Sequence, residues 1–156
     1  MFKLPEALIL EDVAVVPGTD GRKMSKSYGN TIPLFGTDEE ITKAVMSIAT
    51  DSKSIDEPKN PEEDSVFAFH KLFAGDSLSD IEKRYREGGL GYKESKEILI
   101  QSIIDFVSHK REKRAELEKN IEYVKNILSE GGAKAKTRAQ KKMELVRQKT
   151  GLITTL

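Results

Sequence analysis

Cysteine and tryptophan are absent from the sequence, and histidine occurs only at His70 and His109. Without cysteine there can be no disulfide, no thiol nucleophile and no thiolate-bound zinc. Apolar runs such as Val13–Val16 and Ile98–Ile100 fall far short of the ~20 residues that a membrane span requires. The opening Met1-Phe2-Lys3-Leu4-Pro5-Glu6 lacks a basic stretch followed by an apolar one, so no secretory leader is expected and the expected compartment is the cytoplasm. Net charge is also missing: 26 basic residues face 26 acidic ones, which on its own argues against a polyanionic partner.

What is present is unevenly placed. Residues 37–66 hold nine acidic and three basic side chains, whereas residues 133–156 hold seven basic and one acidic, so one end is cationic and able to sit near phosphates. The 156 residues suit one ordinary domain, or a piece of one joined to the whole of another. A hydrophobic share of 37% against 33% charged predicts slender helices rather than a thick sheet core.

Residues 1–36 read as extended and irregular. Pro5 and the run Val13-Ala14-Val15-Val16 predict a strand, which enters a loop at the Pro17-Gly18 and Asp20-Gly21 turn signals. After Gly36 the pattern becomes helical. Thr37-Asp38-Glu39-Glu40 reads as a capping box ahead of Ile41, Ala44, Val45 and Ile48, predicting a helix over about 38–50. Asn60-Pro61-Glu62-Glu63 supplies an N-cap, a first-turn proline and acids for a second helix carrying Val66, Phe67, Phe69, Leu72 and Phe73. A short third helix runs from Ser77–Asp80 to the stop at Gly88-Gly89. A longer one from Tyr92 aligns Leu99, Ile103 and Phe106, and another follows from Ile121. Gly131-Gly132 is expected to weaken or break that last helix, and the segment beyond it is thinly anchored by Ala135, Ala139, Met143 and Val146.

The chemistry concentrates in Lys23-Met24-Ser25-Lys26-Ser27. Two ammonium groups three positions apart, two hydroxyls and nearby glycines on an exposed loop can converge on a polyphosphate and still close over it. A generic basic turn would look similar, but a chance match to the whole pentapeptide is on the order of one in ten thousand for a chain of this length. His70, in the Phe-rich second helix, reads as a residue at the edge of the core, and His109, beside Lys110 and Arg111, as solvated or RNA-facing.

The pentapeptide and its flanks resemble the C-terminal part of bacterial-type tryptophanyl-tRNA synthetases, a family of class I aminoacyl-tRNA synthetases. The flanks are Leu4-Pro5-Glu6-Ala7-Leu8-Ile9, Val16-Pro17-Gly18-Thr19-Asp20-Gly21-Arg22 and Tyr28-Gly29-Asn30-Thr31-Ile32. Thr50-Asp51-Ser52, Gly88-Gly89-Leu90-Gly91-Tyr92 and Arg111-Glu112-Lys113-Arg114 continue the likeness in order. The resemblance implies a mainly α fold. Residues 1–36 would be the C-terminal edge of a Rossmann-like catalytic domain with its lysine loop, and residues 37–156 a helical bundle of the anticodon-binding type.

The same resemblance implies an enzyme that activates L-tryptophan with ATP, Mg²⁺ being carried with the nucleotide, and transfers it to tRNA(Trp). Lys23 and Lys26 would be catalytic, and Lys23, Met24, Ser25, Lys26 and Ser27 would bind the nucleotide, with no metal ligand in the chain. Gly18 and Gly21 would act as hinges. Tail and helix cations at Arg111, Lys113, Arg114, Lys134, Lys136, Arg138, Lys141, Lys142 and Arg147 would serve RNA as a group. The family's other signature, His-x-Gly-His, does not occur in the sequence. The chain by itself is therefore expected to be inactive and monomeric, with the amino-acid pocket in the missing part and a homodimeric parent. Two alternatives stand beside this reading: a fragment of a tyrosyl-type class I enzyme, and a non-catalytic helical RNA-binding or interaction module.

Overall fold

A computed structural model describes residues 2–10 and 13–152 of the chain. Five α-helices dominate: α1 (Asp38–Met46), α2 (Ser65–Phe73), α3 (Leu78–Glu87), α4 (Tyr92–Lys119) and α5 (Ile121–Thr150). Single 3-10 turns occupy Lys26–Tyr28 and Gly75–Ser77. Among the described residues, β pairing is limited to one antiparallel bridge between Pro17 and Lys23. The strand expected over Val13–Val16 does not form. Val13 and Val15 are exposed, and only the last member of the run takes part in pairing, when the Val16 carbonyl accepts the Met24 N–H at 2.9 Å. A β-branched run becomes a strand when a neighbouring strand takes its backbone groups along its length, and among the described residues only Val16 meets such a partner.

Local caps set the helix starts. Thr37 Oγ1 accepts the Glu40 N–H at 3.2 Å and Glu40 Oε2 accepts the Thr37 N–H at 2.7 Å, so the predicted capping box is complete. The end of α1 comes four residues before the expected one. Lys96, nearly buried, donates its ammonium to the carbonyls of Met46 at 3.0 Å and Ile48 at 2.7 Å, while the Ala49 N–H turns to the Thr19 carbonyl at 2.8 Å. A cation that serves terminal carbonyls stabilises a helix end there. The start of α2 also moves, from Pro61 to Ser65. Asp64 accepts the Phe67 N–H at 2.7 Å, and Asn60 is left to organise the preceding turn by accepting from Glu62.

The compact unit Leu8–Arg111 holds the core. Spacing of i, i+4, i+8 puts Leu99, Ile103 and Val107 of α4 on one stripe, and these pack with Ile41 and Val45 of α1 and with Val66 and Phe69 of α2. Phe67 points to the other side of α2 and joins Ile81 and Tyr85 of α3 and Leu90. One helix therefore serves two apolar clusters. Each large side chain removed from water there contributes about 1.5–3 kcal/mol before entropy is counted.

The other unit comprises Met1–Ala7 and Glu112–Leu156. Its long helix α5 buries no residue and leaves Ile127 and Leu128 exposed. Of the weakening or break expected at Gly131 and Gly132, the break does not occur: α5 runs unbroken through both. Glycine lowers helix stability without forbidding the conformation, and its neighbours Leu128, Glu130, Ala133, Lys134 and Ala135 are good helix formers. A Cβ added at either glycine meets nothing within 4 Å. Replacing both glycines with alanine should therefore stabilise this helix by about 2 kcal/mol, read as slower amide exchange around residues 128–136.

No described helix is long and apolar enough to cross a membrane.

Candidate functional site

The segment from Val16 to Asn30 folds back on itself. Gly18 N–H donates to the Arg22 carbonyl and Gly21 N–H to the Gly18 carbonyl, so the turn brings Met24 opposite Val16. Met24 is half-buried and packs on the core beside Val16, which anchors the loop from below. Lys23, Lys26 and Ser27 are exposed, and Ser25 is half-buried. The hydroxyls of Ser25 and Ser27 lie 2.8 Å apart, and Gly29 in the left-handed region (φ 66°) ends the 3-10 turn that begins at Lys26.

Arg22 decides how much free charge the loop displays. Its guanidinium binds Asp20 at 2.6 and 2.8 Å and lies 4.9 Å over the Tyr28 ring. The nearest acid is thereby neutralised, and among the described residues neither Lys23 nor Lys26 has an ion-pair partner. Two uncompensated ammonium groups beside two hydroxyls form a surface that attracts polyphosphate. The acid-lined cavity of about 200 Å³ formed by Asp51, Glu63, Asp64 and their neighbours has the wrong sign for that ligand. Among the described residues, no group of three or more His, Cys, Asp or Glu side chains is placed to hold a metal.

The structure thus keeps the five predicted residues in one loop but does not present them alike: four face outward or sideways, and Met24 faces the core. Sequence reasoning missed the residue underneath. Asn30 is 2% exposed; its Oδ1 accepts the Ser25 N–H at 2.8 Å, and its Nδ2 donates to Asp20 Oδ1 at 2.7 Å and to the Lys23 carbonyl at 3.3 Å. Gly18 is buried against this side chain, and a Cβ at that position would overlap the carboxamide. Close approach, rather than hinge freedom, thus explains the glycine at 18, whereas Gly21 does adopt a positive φ of 77°. The Asn30 hydrogen bond is the main cause holding the Asp20 carboxyl down at about 2, with Arg22 adding to it. The only sequence signal for this arrangement was a polar Asn between a glycine and the apolar Ile32.

The cations considered for RNA divide into two kinds. Arg111 is structural: it pairs with Asp38 and donates to the Gly36 carbonyl at 2.6 Å, tying α4 to the segment that caps α1. Lys113 and Arg114 pair with Glu116 and Glu118 one turn along their own helix. By contrast Lys134, Arg138 and Lys141, at i, i+4 and i+7, share one face of α5, are exposed, and have no ion-pair partner among the described residues. Lys136 is exposed off that face, Lys142 lies 5.9 Å from the Phe2 ring, and Arg147 is half-buried.

Known proteins resemble this chain over nearly its whole length. A family described as "tRNA synthetases class I (W and Y)" matches residues 1–108. A tryptophan–tRNA ligase from Fusobacterium nucleatum is 46% identical over 153 residues, covering 97% of this chain and 47% of its own. One from Rhodopirellula baltica is 42% identical over 152 residues, covering 97% of this chain and 48% of its own. Among solved structures, tryptophanyl-tRNA synthetase from Campylobacter jejuni complexed with ADP and tryptophan superposes with a TM-score of 0.78 at 42% identity, over 97% of this chain and 48% of that one. The chain spans about half the length of the curated relatives it matches. It belongs to the class I tRNA synthetases, in the family that comprises the tryptophan and tyrosine enzymes.

Proposed function

We propose that this chain is the part of a tryptophan–tRNA ligase that carries the lysine loop and the helical tRNA-binding region. In this reading residues 1–36 complete the edge of a Rossmann-like catalytic domain and residues 37–156 form the anticodon-binding helices. The full-length protein joins tryptophan to ATP: the tryptophan carboxylate attacks the α-phosphorus and the bond to pyrophosphate breaks; a hydroxyl of the 3′-terminal ribose of tRNA(Trp) then attacks the aminoacyl carbonyl, and AMP leaves. Negative charge grows on the departing phosphates. Lys23 and Lys26 stabilise it, Ser25 and Ser27 hydrogen-bond phosphate oxygens, and Met24 seats the loop on the core. Magnesium enters on the nucleotide as part of the substrate. The unpaired face of α5 sits against RNA phosphates, and the working enzyme is a homodimer.

The observation that carries this reading is a loop with two unpaired ammonium groups on a chain 42% identical to a synthetase complexed with ADP and tryptophan. Tryptophan rather than tyrosine is supported by relatives named for tryptophan at 42–46% identity. The test is ATP–pyrophosphate exchange. The full-length protein should exchange with tryptophan and not with tyrosine, and the 156-residue chain should stay at background with either. Exchange supported by tyrosine, or by the isolated chain, would overturn the assignment.

A further inference from the structure

We infer that Asn30 is a positioning residue for the lysine loop: one buried carboxamide fixes where the backbone bearing Lys23 and Lys26 stands for reaction. This rests on the reading of the loop as the element that stabilises the leaving phosphates. Three bonds converge on a single planar group, from the Ser25 N–H, to the Lys23 carbonyl and to the Asp20 carboxylate. The main-chain carbonyl of Asn30 also takes the Thr19 N–H at 3.0 Å, so both limbs of the loop are held from one residue. Lys26 starts its 3-10 turn directly after the clamped Ser25. Both lysines are thus fixed at the backbone while their ammonium groups remain free.

A carboxamide is the side chain this position requires. It offers an acceptor and two donors on one short planar group, whereas an ionised aspartate only accepts. Asp20, held by Arg22 at 2.6 Å, stays a pure acceptor and needs a donor facing it. An aspartate at 30, itself buried, would set its carboxylate in hydrogen-bond contact with that of the exposed Asp20, and such a pair keeps one shared proton or moves apart. Gly18 makes room for the amide and leaves little for a longer one.

Three variants test the inference: Asn30→Ala, Asn30→Asp, and Asn30→Asp combined with Asp20→Asn. In the 156-residue chain, trypsin at pH 8 should cut after Lys23 and Lys26 about tenfold faster in Asn30→Ala, with cleavage confined to the loop. Cuts throughout the chain would mean that the variant had unfolded, and Asn30→Asp then carries the comparison. In the full-length protein, Asn30→Asp should lower kcat for adenylate formation about tenfold or more with a smaller change in the KM for ATP. Its rate relative to the native protein should recover as pH falls from 8 to 6, because one proton between the two acids rebuilds the donor. The double variant, with amide and acid exchanged, rebuilds the bond between the two side chains but not the one to the Lys23 carbonyl, so it should recover in part at pH 8 and lose that pH dependence. A flat ratio for Asn30→Asp, or a double variant no better than the single, overturns the positioning role if Lys26→Ala still slows the reaction. If neither lysine matters to adenylate formation, the underlying reading of the loop fails, and the positioning role fails with it, whatever trypsin shows.

Discussion

Lys26→Ala in the full-length protein should slow adenylate formation by about 10²–10³, the scale for losing one preorganised contact to charge that develops in the transition state. Lys26 is exposed and has no ion-pair partner among the described residues, so its removal should change folding stability by no more than about 0.5 kcal/mol. A loss of that size therefore belongs to the reaction and not to the fold. Lys23→Ala should have a similar or milder effect, since Lys23 lies where the loop still pairs with Pro17. The affinity for tryptophan should change less than the rate, because neither lysine is placed to touch the amino acid in the proposed reading. Single-turnover formation of the adenylate, with enzyme in excess, separates the chemical step from product release. Unchanged rates in both variants would reduce the loop to a solvated basic turn.

How much of this could be read beforehand depended on the range of the interaction. Thr37 and Glu40 are three residues apart, and the cap they form was legible because everything it needs lies within one turn. Leu99 and Ile103 were legible for the same reason, but Phe106, expected on their face, is 46% exposed and Val107, at i+8 from Leu99, completes the buried stripe in its place. Asn60 was misread as the N-cap of α2 because two N-cap residues stand four apart, and the choice falls to Asp64, whose carboxylate also meets the Tyr85 hydroxyl from α3 at 3.4 Å. The early end of α1 depends on Lys96, some fifty residues away in sequence, and no local pattern encodes that contact. Arg111 looked like its cationic neighbours until its partner Asp38 was visible. In the segment 23–27 the exposed cations and the two hydroxyls could be read from composition, whereas the buried amide beneath their backbone could not, since a lone Asn carries no periodic signal. At Gly131-Gly132 the sequence left open whether the helix weakens or breaks, since a propensity that costs about 1 kcal/mol per glycine does not by itself end a helix.

The fold should lose about 2 kcal/mol between pH 7 and pH 5 through one buried imidazole, His70. Its ring is fully buried beside Phe67, and its Nε2 lies 2.9 Å from Ser95 Oγ, which in turn lies 2.7 Å from the Tyr85 hydroxyl. Tyr85 donates to Asp64, whose carboxylate also caps α2. One proton order serves the whole chain of groups: Nε2–H to Ser95, Ser95 to Tyr85, Tyr85 to Asp64. That order leaves Nδ1, which has no partner among the described residues, as a bare lone pair, less costly to bury than an orphaned N–H. Protonation would place an unpaired N–H and a charge among apolar rings, and burial accordingly pushes the imidazole down from 6.5 to about 4. With the folded value below the unfolded one, the stabilisation is complete above pH 6.5 and declines as pH falls, until it is gone below about 4. Carboxylates such as Glu57 and Glu62 are held below their usual range and titrate beneath this window. His70→Gln keeps a donor near the Nε2 position and cannot charge. Urea midpoints for the native chain should therefore fall steeply from pH 7 to pH 5, while those of His70→Gln stay nearly level, whatever the variant's stability at pH 7. Parallel pH dependence in the two proteins would mean that His70 is protonated in the folded state as readily as in the unfolded one, and that the ordered hydrogen-bond chain to Asp64 does not hold.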